Sequence, residues 1–594
     1  MGEEFQSDDD IALGVEDFDS EEEYRLYCLR HSTSHVMAAA VQQIFPEVRF
    51  GIGPPIQNGF YYDMELGRTL TPEDLQQIEQ RMKAIVTEDR EFHRENWDKP
   101  KALEFFGARD QKFKLELIDG IPGDSVSIYS IGDFTDLCAG PHVRRTSDCK
   151  HFKLLSIAGA YWRGNEKNPM LQRIYGTVWP TNAELEEHLH NVEEAKRRDH
   201  RKLGRELELF MTHEWLPGSP FWLPKGTVIY NTLQDKMRRM LFHDGYVEVK
   251  APLVASEQLF QTSGHWAHYK ENMFVIHEDE RDYALKPMNC PAQMLIFGSK
   301  RRSYRELPLR LSEQSVLHRN ERAGALAGLT RVRQFQQDDA HLFVTEDQIG
   351  EEVNRLLKLV ERVYRAFGMP YRFVLSVRGE DHSKYMGEPA LWDKAESLLA
   401  EALEGNKLRY TVAKDEANFY GPKIDQMVQD SLKREHQLGT IQLDFQLPRN
   451  FGLSYVNEHN AESIPVVIHR AIYGSLERFI GILIEHYAGA FPLWLAPVQA
   501  KVLSISEKTA EYARQVYQRL SAEDLRVELD VRDDKIGAKI RDAQLEKIPY
   551  MLVVGPKEAQ SQAVAVRSRE KGDEGAVSLE EFLTRIKSEA NFDF

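Results

Sequence analysis

The chain has 594 residues, enough for about four domains with separate hydrophobic cores. Its formal net charge of −18 excludes a protein that coats nucleic acid indiscriminately, since any polyanion must meet local basic patches on an acidic body. The four cysteines, Cys28, Cys138, Cys149 and Cys290, have no short paired spacing. That excludes a disulfide framework and points to reduced thiols or scattered ligands in a cytosolic protein. No apolar run is long enough to span a bilayer.

Residues 1–24 are acidic and lack the apolar centre of a signal peptide, so a disordered tail is expected there. Residues 25–182 predict an α+β domain. One helix is expected to start near His31, where HSTSH places His31 and His35 one helical turn apart. GRTLTPEDLQQIEQRMKAIV predicts another, with Thr71 as N-cap and Pro72 in the first turn. LIDGI and HFKLLSI read as extended segments. Residues 183–205 predict one long connecting helix whose apolar stripe is Leu185, Leu189, Val192 and Ala195. Across residues 206–492, strand-like runs (YALKPM, RVRQFQQDDAHLFV, GTIQLDFQL, SIPVVIHRAIYG) alternate with helical patterns. They predict an antiparallel sheet braced by helices. Residues 493–594 read βαβαβ, from KVLSIS to YMLVVG, a small α/β domain with a mainly parallel sheet.

The densest chemistry lies in LHRNERAGALAGLTRVRQFQQDDAHLF. Two strand-like arms flank a loop rich in Gly and Ala, with Arg319 and Glu321 on one arm and Arg331 and Arg333 on the other. Guanidinium groups on a rigid hairpin suit bidentate binding of phosphate oxygens. The same pattern also fits a solvated amphipathic hairpin. No GxxxxGK[ST] loop occurs, so a nucleotide site must be of another kind. HSTSH lacks the glutamate of a zinc-protease helix. Together with Cys138 and His142 of TDLCAGPH it offers four possible zinc ligands.

Residues 318–343 resemble the second signature motif of class II aminoacyl-tRNA synthetases. AIYGSLERFIG, with Arg478, resembles the third, and GYVEVKAPLV, with Pro252, the first. Within that class the chain is similar to bacterial threonyl-tRNA synthetases over about residues 25–590. The similarity is carried also by KPMNCP, ANFYGPKID, GTIQLDF, VVIHRAI and DDKIGAKIRDAQLEKIPYMLVVG.

The resemblance implies a multidomain α+β protein: an editing domain at 25–182, a linker helix at 183–205, a class II catalytic domain at 206–492 and an α/β anticodon-binding domain at 493–594. It implies a cytoplasmic, homodimeric threonine–tRNA ligase that takes ATP, L-threonine and tRNA(Thr), with no membrane partner. One Zn²⁺ per chain is implied on Cys290, His341 and His469, although a lone Cys and two distant His are by themselves more often core residues. Mg²⁺ accompanies ATP. Arg319 is implied on the α-phosphate and the threonine carboxylate. Glu321 and Arg478 hold adenine and the outer phosphates, with Arg331 and Gln437 assisting. Gln337, Asp339 and Tyr420 surround the threonine amino group. His31, His35, Cys138 and His142 are implied in metal-independent hydrolysis of mischarged seryl-tRNA. Glu558 and Arg567, with Arg569, are implied in anticodon reading.

The chain also departs from the family pattern. Ala327 and Gln334 stand where His and Gly are usual, Ala292-Gln293 stands where Gly-His is common, and only the acidic tail precedes residue 25 in place of a small ubiquitin-like domain. The rival reading is a synthetase-like RNA-binding regulator without ligase activity. Its mark would be loss of Arg319, Arg478 or a zinc ligand, and all are present. A free-standing editing hydrolase is opposed by the complete catalytic block.

Overall fold

The computed structural model describes residues 13–18, 20–165 and 167–591. The expected disordered tail falls largely on residues 1–12 and 19, outside the described residues. Its boundary at residue 24 is too late, because a helix already runs from Glu21 to Ile44. The chain forms two compact units, Met1–Glu193 and Glu194–Phe594.

In the first unit, helix Glu21–Ile44 starts ten residues before the expected point. The Ser20 side chain accepts from Glu23 N and caps it, and three glutamates in the first turn favour the positive helix end. HSTSH is therefore mid-helix. From Cys28 to Val41 nearly every side chain is buried, against an antiparallel sheet. That sheet runs Arg49–Phe50, Gly59–Glu65, Met170–Trp179, His151–Tyr161, with Pro55–Ile56 pairing to Gly59–Glu65. Helix Pro72–Thr87 has the predicted Thr71 cap, reciprocated by Asp74. LIDGI is not extended. Its first four residues end helix Lys112–Gly120, where Phe113 and Leu117, one helical turn apart, pack in one cluster and Ile118 in another. A second antiparallel sheet joins His93–Asp98, Ser125–Ile131 and Phe134–Leu137.

The connecting region is two helices, Asn182–Arg198 and His200–Glu206, where one was expected. Asp199 leaves helical geometry (φ −46°, ψ 120°) and caps the second helix on Arg201 N.

The second unit is built on an eight-stranded sheet. Its order is Val247–Glu248, Leu309–Glu313, Asp339–Val344, Val466–Ala471, Glu435–Asp444, Lys423–Gln429, Tyr371–Val377, Tyr410–Lys414. The two outermost pairings are parallel and the others antiparallel. Helices Pro224–His243, Ile349–Phe367, Pro389–Gly405 and Leu476–His486 supply the apolar side of its core. Register then sets the chemistry: His341 lies opposite His469, Gln442 opposite His469 and Asp339 opposite Glu313.

At the C-terminal end a five-stranded sheet runs Val527–Asp530, Ala500–Ser504, Tyr550–Val554, Ala563–Ser568, Gly572–Ser578. Its first three strands are parallel, as the βαβαβ pattern predicts. The last two add antiparallel, so the sheet is mixed rather than mainly parallel. Among the described residues no helix is long and apolar enough to cross a membrane.

Candidate functional site

A cavity of about 490 Å³ opens in the second unit over the middle of the eight-stranded sheet. Its walls include every residue assigned above to catalysis or metal binding: Arg319, Glu321, Arg331, Gln337, Asp339, Tyr420, Gln437 and Arg478, with Cys290, His341 and His469. The motif-two hairpin forms one wall. Its strands, Val316–His318 and Gln334–Gln336, are shorter than the sequence suggests. The hairpin continues through a single backbone bond from Arg319 N to Arg333 O, 2.9 Å. Arg331 donates to the Glu321 carboxylate at 3.0 Å across the loop. Arg333 is not in the cavity wall; its Nε donates to the Glu321 carbonyl at 2.9 Å and stiffens the turn. Arg319 is packed over the face of Phe335, 4.9 Å from the ring centroid. Ala327 and Gln334 are both exposed and outside the cavity wall, so neither departure narrows the site.

The opposite wall is helix Leu476–His486, capped by Ser475 through Arg478 N. The turn before it is held from below. The carboxylate of buried Asp338 accepts the backbone N–H groups of Ile472, Tyr473 and Gly474, at 2.9, 3.0 and 3.1 Å. Gly474 has φ +74°, and a Cβ there would stand 2.5 Å from the Leu438 carbonyl, so only glycine fits the turn. Burial, and then the facing Arg331 guanidinium, lower Arg478 from the ordinary arginine range. Arg331 has the Glu321 carboxylate as its partner, whereas Arg319 and Arg478 have no carboxylate partner among the described residues and form an anion site in the half-dry cleft.

Deeper in the same cavity lie Cys290, His341 and His469, with candidate ligand atoms within 4.8 Å of one another. Cys290 opens helix Cys290–Gly298, and the histidines come from adjacent strands. Each imidazole has one ring nitrogen taken. His341 Nδ1 lies 3.1 Å from Gln293 Oε1, and His469 Nε2 lies 2.9 Å from Asp444 Oδ2. The other nitrogen of each is left for a ligand, the arrangement usual for metal-binding histidines. Burial, then Asp339 and Asp444, push the Cys290 thiol well above its usual range, and burial holds His341 well below its own. One soft sulfur and two imidazoles against nearby carboxylates fit a divalent cation such as Zn²⁺. Beside them burial raises the Asp339 carboxyl while a hydrogen bond from Asn289 opposes the shift. Tyr420 OH bonds to Gln442 Oε1. Sequence reasoning missed Gln442, Asn418, Lys423 and His265. The first three were legible as polar side chains alternating within ANFYGPKID and GTIQLDF. His265, fully buried with Nε2 3.9 Å from Cys290 Sγ, carries no such signal.

The first unit has its own cavity, about 410 Å³, lined by His31, His35 and Cys138. His142 stands behind that lining. Its Nδ1 lies 3.1 Å from Ser32 Oγ, whose own proton goes to the Cys28 carbonyl, so His142 donates from Nδ1 and presents a lone pair at Nε2. Cys138 Sγ lies 3.2 Å from that Nε2 and 3.3 Å from His31 Nε2. All four candidate ligand atoms fall within 4.8 Å. Burial first, then neighbouring imidazoles, hold His31 and His142 well below the ordinary value, and burial draws His35 down to about 4. Three more residues of this wall were missed. Lys114 Nζ sits 2.6 Å from Asp136 Oδ1 and 3.1 Å from Tyr62 OH, and Tyr62 OH donates to Asp136. Asp136 was within reach of the sequence, two residues before Cys138; Lys114 was hidden in the helix that LIDGI concealed.

Near the C-terminus Glu558 is tied to its own helix cap, accepting Gly555 N at 2.9 Å, and Arg567 pairs with Asp573 at 3.1 Å. No hydrogen bond or ion pair joins Glu558 to Arg567 among the described residues. Arg569 donates to the carbonyls of Lys547 and Phe491 at 2.7 and 2.8 Å, so its guanidinium is occupied in bracing the domain.

Residues 271–487 match the family model described as tRNA synthetase class II core domain (G, H, P, S and T), and residues 497–589 match Anticodon binding domain. Residues 126–175 match Threonyl and Alanyl tRNA synthetase second additional domain. The antiparallel sheet, the arginine hairpin and the cavity over them are therefore those of a class II aminoacyl-tRNA synthetase. The threonine–tRNA ligase of Desulforamulus reducens is 51% identical over 587 residues, 99% of this chain and 92% of that protein. That of Caldanaerobacter subterraneus is 50% identical over 583 residues, 98% and 90%. The chain belongs to the threonine–tRNA ligase family. Among solved structures, the RNA-binding domain of threonyl-tRNA synthetase from Cryptosporidium parvum superposes with TM-score 0.64 at 44% identity, covering 66% of this chain and 98% of that one. A putative threonyl-tRNA synthetase from Aeropyrum pernix gives 0.58 at 27%, covering 67% and 98%.

Proposed function

We propose that the chain activates L-threonine with ATP, transfers it to the 3′ end of tRNA(Thr), and hydrolyses seryl-tRNA(Thr) formed in error. The observation that carries this reading is the single cavity in which the phosphate-facing arginines and the Cys290, His341, His469 cluster stand together.

Arg319 neutralises charge on the α-phosphate and the amino-acid carboxylate as they approach. Glu321 and Arg478 hold the adenine and the outer phosphates, with Arg331 and Gln437 assisting, and Mg²⁺ travels with ATP. No protein nucleophile is needed: these side chains act by holding the reactants in line and offsetting negative charge that grows on phosphorus oxygens. Asp339, Gln337 and Tyr420 receive the ammonium group. Cys290, His341 and His469 would hold one Zn²⁺ per chain, and the ion would supply Lewis-acid chemistry for recognising the amino group and side-chain hydroxyl of threonine. A site that requires a hydroxyl rejects the isostere lacking it by about 10⁴-fold or more, whereas loss of one methyl is worth only ~1–3 kcal/mol. Valine is thus refused and serine leaks through.

The leak calls for a second, hydrolytic site. His31, His35 and Cys138, with His142 behind, bind and polarise the seryl ester and its attacking water without a metal. Residues 25–182 form the editing domain, 183–205 the linker, 206–492 the catalytic domain and 493–594 the anticodon-binding domain, where Glu558 and Arg567 face unpaired bases. The enzyme works in the cytoplasm as a homodimer. Phe242, Val247, Leu253 and Val254, exposed along the motif-one segment, suit a second copy as their cover. The decisive experiment is ATP–pyrophosphate exchange across the amino acids. Threonine should support it, serine weakly, and valine not detectably; exchange with valine equal to that with threonine would remove the basis for hydroxyl selection.

A further inference from the structure

Gln293 stands at a position where an amide has no obvious use. It lies on helix Cys290–Gly298, one turn beyond Cys290, and is fully buried. An apolar side chain of the same volume would be the less costly filler, because a buried amide must find partners for both its ends. It does find them. Its Nε2 donates to Glu313 Oε2 at 3.2 Å, and its Oε1 lies 3.1 Å from His341 Nδ1. Glu313 is fully buried as well, and its other oxygen accepts Lys286 Nζ at 2.8 Å and Ala251 N at 2.9 Å.

We propose that Lys286, Glu313 and Gln293 form a buried positioning relay that decides which ring nitrogen of His341 faces the Cys290 and His469 ligands. The inference rests on the zinc reading above. Its logic is donor and acceptor polarity. A carboxylate paired with an ammonium group offers only acceptors, so the Gln293 amide must turn its N–H toward Glu313. The amide oxygen then faces His341 and has no proton to give. His341 must therefore carry its proton on Nδ1 and hold a lone pair on Nε2.

The same cation polarises a second arm. Lys286 Nζ donates to Ser315 Oγ at 2.9 Å, Ser315 Oγ donates to Asn289 Oδ1 at 2.9 Å, and Asn289 Nδ2 donates to Asp339 Oδ2 at 3.0 Å. One ion pair thus orients both the sulfur–imidazole cluster and the carboxylate beside it. His469 is oriented differently, by direct contact with the Asp444 carboxylate. The neutral amide on His341 fixes the tautomer without adding another negative charge to a pocket that already holds Asp339 and Asp444.

The test is zinc affinity of the full chain, measured by competition with a chromogenic chelator, for the wild type, C290A, Q293M, Q293H and Q293N. The wild type should bind one Cys290-dependent zinc. Q293M keeps the volume and removes both hydrogen bonds, and should bind about 10- to 100-fold more weakly. Q293H should recover most of the loss, because a neutral imidazole can donate to Glu313 from one nitrogen and accept from His341 at the other. Wild-type affinity in Q293M overturns the relay and leaves the zinc reading standing. Zinc binding unchanged in C290A overturns the zinc reading and the relay with it. Should Q293M fail to fold, Q293N decides: it keeps the amide but is one methylene too short to span both partners, and wild-type affinity there is equally fatal.

Discussion

Arg319 is the single side chain on which the proposed activation step leans most. It lies in the cavity wall against Phe335, half-buried, and its Nε is 3.5 Å from the Pro287 carbonyl, too long to hold the guanidinium strongly. Its charge is left for a ligand. R319A should therefore lower threonyl-adenylate formation by ~10²–10³-fold, the usual loss when one preorganised donor is removed from developing charge. Affinity for tRNA, measured by filter binding, should stay within a few-fold; a parallel collapse would give Arg319 a different task. The buried histidines of the first unit make a second prediction at this scale. Burial draws His35 down to about 4, against an ordinary 6.5. Its stabilising contribution is thus complete above the unfolded value, near pH 6.5, and is lost as pH falls toward 4, because the unfolded chain takes up a proton that the native one refuses. For His35 alone the loss is on the order of 3 kcal/mol. Hydrogen exchange of helix Glu21–Ile44, corrected for intrinsic rates, should lose protection between pH 6.5 and 4. H35Q, which cannot take up a proton, should lose less; an equal loss would assign the acid sensitivity elsewhere.

At the scale of elements, the strongest organising contact joins two motifs far apart in sequence. Asp338 leaves the returning hairpin strand and gathers three consecutive backbone N–H groups of the motif-three turn, with Arg470 on its other side. D338N keeps the volume but replaces one acceptor oxygen with a donor, leaving at least one buried N–H unsatisfied. A cost of ~2–4 kcal/mol follows from that desolvation and the lost charge-assisted bonds. Denaturant unfolding should show it, and pyrophosphate exchange should fall as well, since the turn sets Ser475 and hence Arg478. Normal exchange in D338N would mean the turn holds itself. Sequence reading succeeded and failed at this scale for identifiable reasons. Helix Pro72–Thr87 was legible because its cap is chemical: Thr71, Pro72 and Asp74 act on one another within three residues. The helix that carries HSTSH was misplaced because its start is signalled by Ser20 inside an acidic run that looks like a tail. LIDGI looks extended until Phe113, one helical turn earlier, is seen to pack with its Leu117. The single linker helix concealed a break at Asp199, since a lone Asp in a charged run resembles any other surface residue. Asp338 was likewise invisible, because its partners lie more than a hundred residues away.

For the whole molecule the question is why one chain holds two cavities with different chemistries, each in its own compact unit. Arg319, Arg331 and Arg478 line one cavity with the sulfur–imidazole cluster, whereas spacing alone could not have paired Cys290 with His341 and His469. The three meet only because neighbouring strands bring His341 opposite His469 and a helix opens at Cys290. On the proposed reading, hydroxyl recognition in that cavity separates threonine from valine but leaves serine as a leak, and the second cavity would have the opposite task, accepting serine and excluding threonine by the extra methyl. Cys138 Sγ lies 3.3 Å from His31 Nε2 and 3.2 Å from His142 Nε2, and Ser32 fixes the His142 ring, so the sulfur is held between two imidazoles. H31A combined with C138A should leave threonine charging near the wild-type rate and let seryl-tRNA(Thr) accumulate, because the activation site is untouched. Wild-type deacylation of seryl-tRNA(Thr), followed by loss of radiolabel in acid-precipitable tRNA, should persist in the presence of a strong chelator. HSTSH has no glutamate between His31 and His35 to act on a metal-bound water, so the proposed hydrolysis relies on the side chains alone. Rapid deacylation by the double variant would place editing elsewhere. Chelator inhibition reversed by zinc would instead make His31, His35, Cys138 and His142 a metal site.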